Sequence, residues 1–514
     1  MTKPFSKHPI SLYGDLMKTP SSLSAFASLP LTVGALFCVA ACQPSLEPGP
    51  VVAAEIAVVE DVRPAWTKGA MVAAADPRAV EAAIAVLREG GHAVDAAIAA
   101  HAVLGLVEPQ SSGLGGGAFM IVYDREPDEV FVYDGRETAP MAATENLFIE
   151  DGKVLGFIDA WQSGKSTGVP SVIALYGAAH AAHGKAAWPS LFEDAITLAE
   201  GGFEVSPRLS GQLSSERLRR FVRLDDHPIS AAYFYPGGDP LEVGDVRDNP
   251  EYADTLRLIA AEGAGAFYEG DIPAAIVETV REEPRPGALS VEDFAAYEVK
   301  VRPPLCGGWR DYKICSAPPP SSGAVTQVMI PNLYDRLLPT DDAEMSEEAF
   351  LQAFVDAQRL AYADRDHYVA DADQVPVPAR DLIDPMYLDA RAKQRFAPDE
   401  PSKPGDPGDV LGRGSMIGMW GQDPTEDAPG TTHLSIIDSQ GNAVALTATV
   451  EAPFGSSRMV KGFLLNNEMT DFARQPTKSG LPVANAPGPG KRPRSSMSPT
   501  IIFDGDGELK LVTG

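Results

Sequence analysis

Asp427-Ala428-Pro429-Gly430-Thr431-Thr432-His433-Leu434-Ser435-Ile436-Ile437-Asp438 places paired threonines behind a turn-rich, acidic stretch and in front of an alternating strand. Two readings compete. β-Branched residues favour strands, so a strand that opens Thr-Thr needs no further explanation. Alternatively the pair stores a nucleophile. A threonine hydroxyl attacks poorly until a base takes its proton, and a free α-amino group on the same residue supplies that base without a histidine. Cutting the chain before Thr431 would create both groups together. Residues 411–430 are rich in Gly, Asp and Pro with little periodicity, the composition of an exposed, cleavable connection.

Outward from this segment the pattern separates into a strand-rich end and a helix-rich middle. Residues 434–437 and 443–450 alternate or run apolar around Ser439-Gln440-Gly441-Asn442, which predicts a β-hairpin. Residues 463–467 and 500–503 add strands, while 168–371 reads mainly helical, most clearly over 188–200, 249–262, 272–282 and 347–361. Nearer the start, Asp76-Pro77 caps a helix that Gly90-Gly91 stops, and a second helix follows over about 94–106. Gly113-Leu114-Gly115-Gly116-Gly117-Ala118 superficially matches a dinucleotide loop, but it leaves a helix and enters the strand 119–123, the reverse of the required order. This division predicts α+β layers.

The composition is globular, and 514 residues provide ample core. A net charge of −29 with no concentrated basic patch argues against a nucleic-acid partner. Eight scattered histidines, with neither a helical His-Glu pair nor a Cys-x-x-Cys, give metal catalysis little support, so no metal or cofactor is expected.

Residues 1–42 read as a targeting segment: Lys18 precedes an apolar run over 23–41. Val39-Ala40-Ala41-Cys42 resembles a bacterial lipobox, implying cleavage before Cys42, acylation of its thiol and a membrane-anchored periplasmic or surface location. An ordinary cleaved secretion signal is the alternative, and Met17-Lys18 would begin a compact signal unaided. Residues 43–63, rich in Pro, Glu and Ala, suit a flexible tether. Further on, Arg310-Asp311 as a two-residue hairpin turn would place Trp309 against Tyr312 and Cys306 opposite Cys315, with Cα atoms ~4.5 Å apart. A disulfide is expected in an oxidising compartment; two buried free thiols are the alternative.

Several ordered blocks resemble the γ-glutamyltranspeptidase family of N-terminal-nucleophile hydrolases: 89–97, 113–119, 134–140, 318–323, 431–435, 465–471 and 491–500. The resemblance runs from about Lys68 to Gly514. It implies a four-layer αββα sandwich, self-cleavage between Gly430 and Thr431, a large piece (64–430) and a small piece beginning at 431. It also implies a γ-glutamyl ester on Thr431 and transfer of that group from glutathione-like amides to water, an amino acid or a peptide. Thr449 matches the threonine that hydrogen-bonds the nucleophile. Arg136 matches the arginine that holds the substrate α-carboxylate in a bidentate fork. Glu468 and Asp471 match the acids that read the α-ammonium, and Ser495-Ser496 match a serine pair on the glutamyl carboxylate.

The chain also departs from that pattern. Glu451 stands where transpeptidases of the family commonly carry asparagine, and resembles a cephalosporin-acylase-like branch, so a third carboxylate would bear on ammonium binding or acyl choice. The stretch between Asp471 and Lys491 is short, with no aromatic residue after Phe472, which predicts an open acyl site. The chain stops at Leu511-Val512-Thr513-Gly514, where the resemblance implies a further stretch carrying an oxyanion hole. The corresponding expectation is a C-terminally truncated small piece over 431–514 with weak or no activity, because one oxyanion donor is worth ~10²–10³ in rate. Three functions are therefore carried forward: a γ-glutamyl hydrolase or transferase, an acylase for glutaryl or other acyl amides with the same nucleophile, and a non-catalytic lipoprotein scaffold.

Overall fold

Ten strands build the two main sheets of the computed structural model, which describes residues 69–340, 346–425 and 430–514. They are β1 (Met71–Ala73), β2 (Gly117–Asp124), β3 (Glu129–Gly135), β4 (Lys300–Arg302), β5 (Leu305–Trp309), β6 (Tyr312–Ser316), β7 (Thr431–Ile437), β8 (Ala443–Thr449), β9 (Thr500–Phe503) and β10 (Leu509–Thr513). The first sheet runs β1-β7-β8-β2-β3-β4 and the second β10-β9-β6-β5, with every pairing antiparallel. All of this belongs to one unit, Trp66–Gly514. The leader (1–42), Cys42 and the tether (43–63) lie outside the described residues.

The layers follow from which alternate residues each strand sends to each face. Ala118, Met120 and Val122 of β2 join Val444, Leu446 and Ala448 of β8 in one core, beneath α1 (Pro77–Arg88) and α2 (Ala93–Val107). The intervening Phe119, Ile121 and Tyr123, with Ala443 and Ala445, meet Cys315, Ile501 and Phe503 of the second sheet. Beyond that sheet, α3 (Gly323–Leu337) and α4 (Glu347–Tyr368) close a third core through Val325, Met329, Leu333 and Leu360. The order is helix, sheet, sheet, helix, as the resemblance implied.

Local signals account for the elements. Asp76 accepts from Arg78 N at 2.9 Å and Pro77 occupies the first helical position of α1. His92 and Asp95 form a reciprocal cap on α2, whose every residue is buried, because a helix apolar on all sides belongs in a core. Strand β8 is buried along its whole length, which explains why 443–450 reads as an apolar run, not an alternation. One expected helix divides: 188–200 is a 3₁₀ turn, Trp188–Phe192, followed by an α-helix, Glu193–Gly201. The two-residue turn at Arg310-Asp311 sets Trp309 opposite Tyr312 and Cys306 opposite Cys315, and these cysteines are joined with Cα atoms 4.1 Å apart.

Candidate active site

Because β7 and β8 pair antiparallel, the first residue of β7 lies directly opposite the last residue of β8: Thr431 faces Thr449. Thr431 Oγ1 donates to Thr449 Oγ1 at 3.3 Å, Thr449 Oγ1 donates to the Gly430 carbonyl at 3.2 Å, and the Glu451 amide donates to Thr449 Oγ1 at 2.8 Å. One hydroxyl proton and two lone pairs are thereby all used. Thr449 sits between the candidate nucleophile and the carbonyl oxygen of the bond that would be cut.

The glycine run explains how the backbone closes around this point. A Cβ on Gly116 would lie 1.9 Å from the Thr449 carbonyl, and one on Gly115 would lie 2.1 Å from that of Leu464. The run is a packing surface for the site strands, which removes any need for a nucleotide to explain it.

A cavity of about 280 Å³ opens from Thr431 and Thr449 towards Arg136, Glu451, Glu468 and Asp471, with Ser495 and Ser496 on its wall. Arg136 follows β3 and is fully buried. Its guanidinium forks onto Glu468 through Nη1 and onto Asp471 through Nη2, both contacts being tight. Arg136 Nε also donates to the Pro493 carbonyl at 3.1 Å and Nη2 to the Arg494 carbonyl at 2.9 Å. The arginine expected to meet a carboxylate and the acids expected to meet an ammonium are thus paired with one another in this structure.

Glu137, Glu468 and Asp471 act on Arg136 and Glu451 lines the same cavity, and burial raises Glu137, Glu451 and Glu468. Burial, reinforced by the Glu468 charge, pushes Glu137 well above the usual carboxylate range; its Oε2 lies 3.8 Å from Arg136 Nη1. Glu451 is pushed up likewise by burial and then by Asp471 and Glu468. Glu468 is pushed up to about 7 by burial, against the pull of Arg136. Burial alone would lower Arg136, but Glu468, Asp471 and Glu137 outweigh it and hold the guanidinium charged. Burial thus favours the protonated forms of Glu137 and Glu451, and Glu451 meets its carboxylate neighbours at a site where negative charge is disfavoured.

The serine pair divides. Ser495 is buried, its Oγ accepts from the Met497 amide at 3.1 Å, and its carbonyl accepts from Ser322 N and Oγ at 2.8 and 2.9 Å. Ser496 is exposed to the cavity and its Oγ accepts from Arg365 Nη2 of α4. The 318–323 block therefore acts as a brace for the 493–497 strap. Several residues near the site carried no individual reading in the sequence. Glu137 packs against Gly117 and Gly168, Asn467 donates to Glu451, and His433 lines the cavity with its ring held by Thr447 at 2.8 Å and Ser435 at 3.0 Å. Burial pushes His433 down to about 4, so it is neutral. For His433 a signal existed: its i+2 spacing from Thr431 on a strand places both on one face.

Comparison with known proteins identifies the family. The γ-glutamyltranspeptidase family model matches residues 79–514. The chain is 35% identical over 447 residues to a glutathione hydrolase proenzyme of Bacillus subtilis (strain 168), covering 85% of this chain and 73% of that one. It is 35% identical over 510 residues to a glutathione hydrolase proenzyme of Escherichia coli (strain K12), covering 97% and 83%. Among solved structures, Helicobacter pylori γ-glutamyltranspeptidase aligns with a TM-score of 0.59 at 32% identity, over 64% of this chain and 94% of that chain. Cephalosporin acylase from Bacillus halodurans shares the fold, with a TM-score of 0.73 at 24% identity over 86% and 76%. An ordered pocket at the strand ends and a match over most of the length lead to one conclusion: this chain belongs to the γ-glutamyltranspeptidase family.

Proposed function

We propose that this protein is a γ-glutamyl hydrolase and transferase whose nucleophile is Thr431, released by cleavage of the Gly430/Thr431 bond. The observation that carries the reading is the position of Thr449 Oγ1, 3.3 Å from the Thr431 hydroxyl and 3.2 Å from the Gly430 carbonyl oxygen. In the precursor, Thr431 Oγ1 bonds to the Gly430 carbonyl carbon. Its proton passes to Thr449, whose own proton moves to the forming oxyanion. The C–N bond then breaks as the Thr431 nitrogen takes up that proton, leaving an ester. Water hydrolyses this ester to a Gly430 carboxylate and a free Thr431 amine.

The new α-amine has an ordinary pKa of about 7.7–8.0, so its free base is accessible near neutral pH and accepts the Thr431 hydroxyl proton in each later turnover. Thr431 Oγ1 attacks the γ-carbonyl of the donor, the donor amine leaves with that proton, and water or an acceptor amine resolves the γ-glutamyl ester. Binding of an amino-acid zwitterion exchanges one set of ion pairs for another: the α-carboxylate takes the Arg136 fork while the α-ammonium takes Glu468 and Asp471. That balance favours a γ-glutamyl over a glutaryl group, because a glutaryl group carries no ammonium and would leave buried acids without a cation.

Denaturing electrophoresis of the full-length protein with N-terminal sequencing of the smaller band tests the reading. We expect a smaller band beginning at Thr431 and neither cleavage nor turnover in Thr431→Ala; a Thr431→Ala chain that still cleaves refutes it. Glu451 favours a second reading, an acylase, and a higher kcat/KM for glutaryl-anilide than for γ-glutamyl-anilide would establish it. The Val39-Ala40-Ala41-Cys42 segment supports a lipid-anchored periplasmic location. Palmitate labelling that persists in Cys42→Ser would overturn that placement.

A further inference from the structure

Asp423 lies shortly before the proposed cut, yet its side chain reaches residues that come after it. It is 3% exposed. Its Oδ1 accepts from the Thr425 amide at 2.9 Å. Its Oδ2 accepts from Asn485 Nδ2 at 3.0 Å and lies 3.0 Å from Arg494 Nη2. The main chain here is fastened too: Gly421 N donates to the Pro482 carbonyl at 2.8 Å and Asp423 N to the Asp366 carbonyl at 3.2 Å. Burying a carboxylate is costly unless it is paired, and this one is paired across the cleavage point.

Both of its partners lead into the pocket. Asn485 Nδ2 donates to the Asp471 carbonyl at 2.7 Å, and Asn485 Oδ1 accepts from the Arg494 amide at 2.9 Å. The Arg494 carbonyl in turn accepts from Arg136 Nη2 at 2.9 Å. Asp423 thus stands one residue removed from Asp471 and Arg136, the ion-paired acid and arginine that line the cavity. A simple tether for the preceding loop would need no such partners; any exposed ion pair would serve.

We infer that Asp423 is a positioning residue of the glutamyl pocket: retained by the first piece after cleavage, it holds Asn485 and Arg494 of the second piece, and through them Asp471 and Arg136. The inference rests on the cleavage reading given above and adds that a residue shortly before the cut holds the wall of the pocket built by the second piece. Separation of the two pieces then costs donor binding even though Thr431 is intact.

The test compares full-length wild type, Asp423→Ala and Asp423→Glu, each scored for the Thr431-initiated band, for KM and kcat with γ-glutamyl-anilide, and for hydrogen exchange at the Arg494 amide. In processed Asp423→Ala, KM rises about tenfold, equivalent to about 1.4 kcal/mol, with kcat little changed. Asp423→Glu recovers part of that loss, and Arg494 exchange accelerates in Asp423→Ala. Unchanged KM, or loss of kcat in parallel with thermal stability while Arg494 exchange stays as in wild type, overturns the inference. Should wild type give no Thr431 band and no turnover, the γ-glutamyl reading fails by itself. Exchange at Arg494, measured without substrate, still decides whether Asp423 orders the pocket wall.

Discussion

Replacing Thr449 with valine removes a hydroxyl while keeping the side-chain shape and the β-branched preference of the strand end. That hydroxyl donates to the Gly430 carbonyl at 3.2 Å and accepts from Thr431 Oγ1 at 3.3 Å and from the Glu451 amide at 2.8 Å. The donor to Gly430 is the group that meets negative charge when the carbonyl is attacked. One such donor is worth about 10²–10³ in rate, or about 2.7–4 kcal/mol. Its 3.2 Å separation is long beside the ~2.7–2.8 Å common for hydroxyl donors, which places the effect at the lower end, about 10²-fold slower cleavage. The Glu451 amide also loses its acceptor in a buried place, costing about 1–3 kcal/mol of stability. The assay is a time course of precursor conversion on denaturing gels, beside a circular-dichroism melt that establishes folding. Thr449→Ser should keep most of the wild-type rate. A folded Thr449→Val chain that cleaves within about threefold of wild type would refute the bridging role.

Glu468, pushed up to about 7, should release protons when an α-ammonium binds beside it near pH 7. Calorimetric titration of L-glutamate in two buffers of different ionisation enthalpy reads this, and identical heats would contradict it. The same group acts on stability: its folded value lies above the ordinary 4.5, so the folded chain holds the extra proton, and this contribution is lost as pH rises from about 4.5 through about 7. Gly116→Ala puts a Cβ 1.9 Å from the Thr449 carbonyl and should abolish cleavage and folded yield, whereas Gly211→Ala, with nothing within 4 Å, should leave both intact; equal behaviour would undo the packing account. Replacing Cys306 and Cys315 together with serine opens a loop of sequence separation 9 and should cost about 2–3 kcal/mol in denaturant unfolding, with cleavage at Thr431 retained.

Much of this architecture was legible in the sequence because its signals are local. Asp76-Pro77, Gly90-Gly91 and the Ser439–Asn442 turn each determine a backbone direction within a few residues. The Arg310-Asp311 turn fixes the register that sets Cys306 against Cys315, since strand pairing beyond a two-residue turn leaves no freedom. The Gly113–Ala118 run was legible only by exclusion: a loop that enters a strand is not a nucleotide cradle, but nothing local says that Thr449 and Leu464 pass within a methyl group of it.

The sequence by itself determined the layers, the hairpin that begins at Thr431 and, through ordered blocks, which side chains to look for. Only the tertiary structure decided what those side chains are to one another. Arg136 and Glu468 are 332 residues apart, and Arg136 and Asp471 are 335 apart, so no periodicity could show that they neutralise each other. Nor could it show that burial raises Glu137 and Glu451 in the same pocket, that Ser495 braces a strap while Ser496 meets the cavity, or that Asp423 pairs with Asn485 and Arg494. Helix and strand signals come from neighbours along the chain. Protonation and pairing come from burial and from charges brought close in space, and these exist only once the chain has folded.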